Sequence, residues 1–355
     1  MKKLLTIVIP TYNMEKYLGR CLDSLIVDGA LMDVLQVLVV NDGSKDSSSQ
    51  IAHEYAAKYP ATFRVIDKEN GNYGSCVNRG LKEAQGEYFK ILDADDWFNT
   101  EGFSVLLREI QKLSLQGGSA PDIIFSKRHI YTDDGVLQKK MRTHLDDDEL
   151  NTIIPAETLG FTDRQSPMLS MHCMAVRTQL LRDNGYVQQE GISYTDVEFI
   201  YYSVKWAKTY YFMDTVVYNY VKGRPGQTMD MDSMVRSMPS FYLVSKRLLE
   251  DYFAPQDENA TRLNETIRSN MLTAMMYSIR HFNFVALLWK AHLTAEEKAQ
   301  LNEIIALSKP LRSNAFFQRL TGYFHKFPFV KFYRVTHIRP YYIYHFLKKI
   351  LRVES

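Results

Sequence analysis

Short apolar runs alternate with segments of helical spacing through the first 125 residues. Residues 4–9 and 34–40 are continuous, largely β-branched runs, while residues 14–27 place Leu18, Cys21, Leu22, Leu25 and Ile26 on one helical face. The same reading predicts a helix ending near Tyr59, a strand at 63–66, a helix over 78–84 and strands at 87–92 and 122–125. Strands separated by helices of this length predict a parallel sheet covered on both faces.

The pattern weakens between 129 and 195. Asp133-Asp134-Gly135 predicts a hairpin turn, and residues 173–176 a strand. A helix is predicted from Thr195, whose spacing from Glu198 is that of a capping box. Strand character returns at 210–213 and 216–221, and beyond about 233 the pattern is helical. The expected organisation is therefore a sheet-bearing domain over 1–230 and a helical region over 231–355. The fold class is α/β, a mostly parallel sheet followed by helices.

Composition changes this picture only at its edges. Hydrophobic residues make up 46% and charged residues 24%, which excludes a mainly disordered chain. No run of about 18 apolar residues occurs, so no membrane-crossing helix is expected. The first ten residues imitate a signal peptide, but Pro-Thr-Tyr-Asn closes the apolar run and a buried strand is the better reading. Cys21, Cys76 and Cys173 are too scattered for a disulfide frame or a zinc site, which makes a reducing cytoplasm the expected location. Charge is uneven. Residues 311–355 hold nine Lys or Arg against the single acid Glu354, although the whole chain is only +2. This tail interleaves its cations with aromatics, and Phe316, Phe317, Leu320 and Phe324 share a helical face. It suits an anionic membrane surface, hence peripheral attachment, better than nucleic acid, for which no motif is present. Packing of the aromatics on the body, with solvated cations, is the alternative.

In an open parallel sheet, ligands bind beyond the carboxyl ends of the strands. Here those ends read Pro10-Thr11-Tyr12-Asn13, Asn41-Asp42-Gly43-Ser44, Lys68 through Gly74, and Asp93-Ala94-Asp95-Asp96. Asp93 and Asp95, two apart in extended chain, would project to one side and suit Mg²⁺ or Mn²⁺; otherwise they are a capping cluster for the helix after Asn99. The Asp42 carboxylate would accept from a nucleobase imide, or else it makes an Asx turn. Tyr12 is placed to stack on a base, and Arg79 to pair with phosphate or to lie on a solvated helix face. Neither G-x-G-x-x-G nor a Walker A loop is present.

Taken in order, Val8-Ile9-Pro10-Thr11-Tyr12-Asn13, Val39-Val40-Asn41-Asp42-Gly43-Ser44, Glu69-Asn70-Gly71 through Asn78-Arg79-Gly80, and Asp93-Ala94-Asp95-Asp96 resemble the family 2 glycosyltransferases of GT-A fold, over about residues 4–230. The resemblance implies a nucleotide-binding α/β sandwich and a hexosyltransferase that inverts the anomeric carbon. It would move sugar from a nucleotide-diphosphate donor, UDP-linked by expectation, to a saccharide or lipid-linked hydroxyl in surface-glycan synthesis. It implies a donor site of Pro10, Thr11, Tyr12 and Asn13 beside Asp42, with Asn70, Gly74 and Arg79 near the nucleotide. Asp93, Ala94 and Asp95 match the family's D-x-D for ribose and metal, Mn²⁺ or Mg²⁺, with Asp95 the first choice as direct ligand and Asp93 beside it. Asp196 matches the family's catalytic acid at a helix start, where Thr195 replaces the usual preceding Glu. The stretch 220–227 resembles a loop of bacterial members, so Arg224 or Lys222 would fold over the diphosphate. His172 would reach the acceptor or the metal, or is structural. Two other functions compete: a sugar-nucleotide nucleotidyltransferase, which would need a Gly-rich basic loop after the first strand, and a non-catalytic membrane-associated scaffold.

Overall fold

The computed structural model describes residues 2–115, 120–141, 145–147, 149–161, 166–224, 227, 230–255, 264–313 and 329–341. The chain forms two compact units: Met1–Arg224 with Leu263–Met271, and Pro225–Arg262 with Leu272–Ser355.

The first unit is built on one mixed sheet. Its nucleotide-type half is parallel, in the order β3 (Phe63–Asp67), β2 (Leu35–Asn41), β1 (Leu5–Thr11), β4 (Tyr88–Ile91). β1 and β2 are buried along nearly their whole length, which is why their sequences run apolar rather than alternating. Helices α1 (Leu18–Asp23), α2 (Gly29–Val34), α3 (Ser48–Lys58) and α4 (Asn72–Glu83) connect these strands. The short strand β5 (Trp97–Phe98) leads into α5 (Thr100–Leu115). Of these, α4 holds most of the stretch 78–84 expected to be helical and begins at Asn72, inside the Gly-Asn-Tyr-Gly expected to precede it, and α2 and β5 have no counterpart in the apolar pattern.

The sheet continues through β6 (Ile123–Tyr131), its hairpin partner β7 (Leu137–Lys140), β8 (Ile153–Pro155), β9 (Met174–Arg177) and β10 (Thr209–Val221). β9 lies antiparallel between β4 and β6, and β10 runs parallel to β6. The hairpin expected at Asp133–Gly135 is present, with Gly135 at φ +82. The two predicted strands at 210–213 and 216–221 are one strand, and its register against β6 shifts between Phe212 and Val216. Helices α6 (Thr178–Asp183) and α7 (Asp196–Trp206) sit between β9 and β10 in the chain. Phe125, Phe161, Tyr210 and Phe212 stack together, and the Asn270 side chain satisfies the Leu159 carbonyl and the Phe161 amide beside them.

The second unit is helical: α8 (Met231–Arg236), α9 (Met238–Phe253), the later turns of α10 (Glu265–Phe284), a π-helical stretch Val285–Trp289, and α11 (Ala295–Leu307) with a complete capping box at Thr294 and Glu297. The described part of the tail includes the helix Phe329–Thr336. Just beyond it, Arg339 donates to the carbonyls of Ala286, Lys290 and Ala291, and Tyr333 is buried and donates to Asn302. These residues are spent on packing within the unit. The predicted apolar face of Phe316, Phe317, Leu320 and Phe324 lies outside the described residues. No helix among the described residues is long and apolar enough to cross a membrane.

Candidate active site

The strand ends meet at the carboxyl edge of the parallel half. β1 is closed by Pro10 and a buried Thr11, whose carbonyl accepts from the Asp42 amide at 2.8 Å. Tyr12 then leaves its ring 46% exposed, free to take a flat ligand. Asn13, at φ +54, ties this loop to the next: its amide donates to Ser44 Oγ, and its side-chain oxygen accepts from the Lys45 amide.

Asp42 is buried. The Asx turn at this strand end belongs to Asn41, whose Oδ1 accepts from the Ser44 amide. The Asp42 carboxylate reaches across to β3 instead. Its Oδ1 accepts from Lys68 Nζ and, at 2.9 Å, from the Gly71 amide, while Asn70 donates to its main-chain carbonyl. Lys68 was not read as a functional residue from the sequence. The available signal was its place directly after a strand's last residue. Arg79, expected near the nucleotide, is not brought to this group: it lies two turns along α4 and pairs with Glu83. Gly74 has a packing reason. A Cβ there would meet the Gln189 carbonyl oxygen at 1.9 Å, so only glycine lets α4 lie against the segment leading to α7.

The Asp93–Asp96 stretch is a turn, closed by the Asp96 amide donating to the Asp93 carbonyl at 3.0 Å. The expectation that Asp93 and Asp95 project together from extended chain does not hold, because the chain has already left β4. The carboxylates splay. Asp93 accepts from Tyr73 Oη at 2.8 Å and faces His172 Nε2 at 3.6 Å. Asp95 pairs with Arg224 at 2.5 Å. Asp96 is fully buried and accepts from Tyr218 Oη and the Val221 amide, both at 2.7 Å, which fastens the turn to β10. Ala94 is buried inside the turn. None of the acids caps α5, since Asn99 does so by accepting from the Gly102 amide at 2.7 Å.

Crowding of acids in a half-buried place has an electrostatic consequence. Burial raises the Asp93 carboxyl to about 6, against the Tyr73 hydrogen bond and Arg224, which lower it. Burial and then the Asp93 charge raise Asp95, with Arg224 opposing. Asp96 is pushed far up by burial and by its two neighbours. Asp196, the first residue of α7, is raised to about 6 by burial and next by Asp93. His172 goes the other way: burial, then Arg128 and Lys90, push it well below its usual value, so it is neutral. With Nδ1 directed at Ser170 Oγ, 2.7 Å away, Nε2 can carry the lone pair toward Asp93. Beneath it, buried Lys90, pulled down to about 7 by burial, donates to the carbonyls of His172 and Met174.

Ligand atoms of Asp93, Asp96 and His172 lie within 4.8 Å of one another. Two carboxylates and a neutral imidazole among further buried acids fit a divalent cation of the Mn²⁺ type. At α7 the predicted capping box is absent. Thr195 Oγ1 accepts from Gln188 and Glu198 accepts from the Gln189 amide, so both bind the approach to the helix rather than its first turn.

Residues 6–185 match the family described as Glycosyl transferase family 2. The chain belongs to that family. Among curated relatives, an uncharacterized glycosyltransferase, the MG025 homolog of Mycoplasma pneumoniae, is 42% identical over 104 residues, covering 29% of this chain and 34% of that protein. The minor teichoic acid biosynthesis protein GgaB of Bacillus subtilis is 38% identical over 102 residues, 29% of this chain and 11% of GgaB. The match thus spans 34% of the one relative and 11% of the other. Among solved structures, S. aureus TarS 1–349 in complex with UDP-GlcNAc superposes with TM-score 0.61 at 23% identity, covering 89% of this chain and 81% of that one. The mannosyltransferase PcManGT of Pyrobaculum calidifontis, in complex with GDP-Man and Mn²⁺, gives 0.51 at 15% identity, covering 92% and 89%. These likenesses place the sheet and its helices among GT-A folds.

Proposed function

We propose that residues 1–230 form an inverting glycosyltransferase that moves a hexose from a nucleotide-diphosphate donor, UDP-linked, to a hydroxyl of a saccharide or lipid-linked acceptor in surface-glycan synthesis. The observation that carries this reading is the placement of Asp42 after β2, of Asp93 and Asp95 after β4, and of Asp196 at the start of α7 within the field of Asp93, along an edge where Tyr12 is exposed. TarS bound to UDP-GlcNAc and the teichoic acid protein GgaB support the donor and the product class.

In this reading Tyr12 stacks on the base, and Asp42, steadied by Lys68 and Gly71, accepts from its imide. Asp196 accepts the proton of the acceptor O–H while that oxygen attacks the anomeric carbon and the bond to the diphosphate breaks on the opposite face. A carboxyl raised to about 6 is ionised at neutral pH yet more basic than an exposed aspartate, which suits a general base. Arg224 lies against Asp95 and can exchange that partner for the leaving diphosphate. Asp93, Asp96 and His172 would hold Mn²⁺ or Mg²⁺, while Asp95, the first choice from the sequence, stands beside them on Arg224; when bound, the ion supplies Lewis-acid neutralisation of the diphosphate. PcManGT with Mn²⁺ supports this choice of ion.

Calorimetric titration with UDP and UDP-sugars, with Mn²⁺ and then with chelator, tests the donor site. Binding that requires the ion supports it; the absence of any nucleotide binding overturns it. Asp196→Ala should abolish turnover and spare UDP binding.

A peripheral attachment of residues 311–355 to an anionic membrane on the inner cell face rests on composition alone. The Arg339 and Tyr333 contacts favour packing for the described part of the tail. Flotation with anionic liposomes decides it, since equal flotation by a chain truncated at 310 removes the tail's role.

A further inference from the structure

We propose that Arg128 receives a phosphate group of the acceptor, making this a transferase for phosphodiester-linked polyol or sugar chains. The inference rests on the transferase reading above and adds the acceptor's chemistry to it.

Arg128 lies in mid β6, opposite Tyr218 of β10 in parallel register, with Tyr220 opposite Ile130 two residues on. Its guanidinium carbon is 5.5 Å from the centre of the Tyr220 ring. That ring is 4.8 Å from the ring of His172, which faces Asp93. Arg128 therefore borders the acid cluster on the side away from β1 and β2. β9 separates its strand from β4 and the donor-binding strand ends.

Apart from the exposed Lys222, the cations named from the site are committed. Arg224 holds Asp95 and Lys68 holds Asp42. Arg20 donates to the Asp95 carbonyl and covers Trp97, and Lys90 donates to two carbonyls. Lys127, next along β6, pairs with Asp214. Arg128 has no carboxylate partner among the described residues, and its Nε is buried with no hydrogen-bond partner. It has the Tyr220 face and the Cys173 thiol for neighbours. A half-buried guanidinium without an anion is costly, and a ligand oxyanion would relieve that cost.

The local field agrees. After burial, the charges that depress His129 are Lys140 and Lys127. β7 continues the positive flank outward with exposed Lys139 and Lys140, where Lys139 pairs with Ile130 on the Arg128 face. A planar fork followed by the Lys139 ammonium on the same face, with Lys140 opposite His129 on the other, suits a repeated tetrahedral oxyanion better than a neutral glycan.

The test uses the full chain loaded with UDP and Mn²⁺. Poly(glycerol phosphate) is titrated against it, with dextran and polygalacturonate as neutral and carboxylate controls. The wild type should prefer the phosphate polymer over both. Arg128→Gln should weaken that binding about tenfold, Arg128→Lys should restore part of it, and UDP affinity should stay within twofold. Equal polymer binding by Arg128→Gln, or no preference over polygalacturonate, overturns the proposal. A matching loss of UDP affinity also overturns it, by assigning Arg128 to the donor diphosphate. Should Arg128→Gln fail to fold, Lys139→Gln/Lys140→Gln replaces it: a severalfold polymer loss without change in UDP binding supports the surface, and no loss overturns it. Failure of the wild type to bind UDP sinks the donor reading instead, a separate result.

Discussion

Asp196 shows how one side chain's chemistry comes from its surroundings. Burial and the Asp93 charge both favour its protonated form and raise it to about 6. The base proposed at Asp196 would be lost as pH falls through that value, so kcat/KM should rise between pH 5 and 7. A rate profile measured with saturating Mn²⁺ checks this, and Asp196→Asn should leave no turnover at any pH. The ion pair of Lys68 and Asp42 makes a second prediction at this scale. Asp42 is almost wholly buried, so Lys68→Met strands a carboxylate in the interior and should cost about 3 kcal/mol of unfolding free energy. The double variant with Asp42→Asn should recover part of that loss in denaturant titration. It should bind UDP poorly, because the base contact is gone with the charge.

Elements transmit these local arrangements. The helix α4 carries Tyr73 to Asp93 only because Gly74 lets it approach the Gln189 carbonyl. Gly74→Ala should push the 189–195 segment away, lowering Tm by several degrees and turnover more than UDP affinity; thermal melts and steady-state rates read the two effects. In the helical unit, His281 lies on α10, stacked on Phe241, with Nδ1 2.7 Å from the Tyr277 carbonyl. Burial pulls it down to about 4. The folded state then binds fewer protons than the unfolded chain between about 4 and 6.5, so stability contributed by neutral His281 is present above that window. It falls by about 3 kcal/mol as pH drops through it. His281→Phe should flatten that acid limb in denaturation curves measured from pH 7 to 4.

Across the whole molecule, the two units have different work. Residues read as donor, metal and base groups all fall in the unit holding Met1–Arg224, while Arg339 secures the π-helical stretch of the other. Arg339→Ala leaves the carbonyls of Ala286, Lys290 and Ala291 without that donor and should cost about 1–3 kcal/mol. Calorimetric melting should register the loss while UDP titration stays unchanged. A parallel loss of UDP affinity would show that the two units are energetically coupled.

The parallel half of the fold was legible in the chain because β1 and β2 are buried on both faces, and such strands are written as unbroken apolar runs. The proposed ligand edge was read from topology, since loops at strand ends carry polar residues that the core cannot use. Those rules work at short range. They could not place Lys68 on Asp42, Arg224 on Asp95 or Tyr73 on Asp93, because each pair joins residues from different elements. Nor could they foresee that Asp93–Asp96 would turn, which sends Asp95 to Arg224 and leaves Asp93 and Asp96 beside His172, or that Arg79 would settle on Glu83. Which acids share a cation, which are fastened to tyrosine, and which cation is left to meet a ligand are decided by distances that only folding sets. Local spacing governs neighbours along the chain, whereas charge and burial depend on neighbours in space.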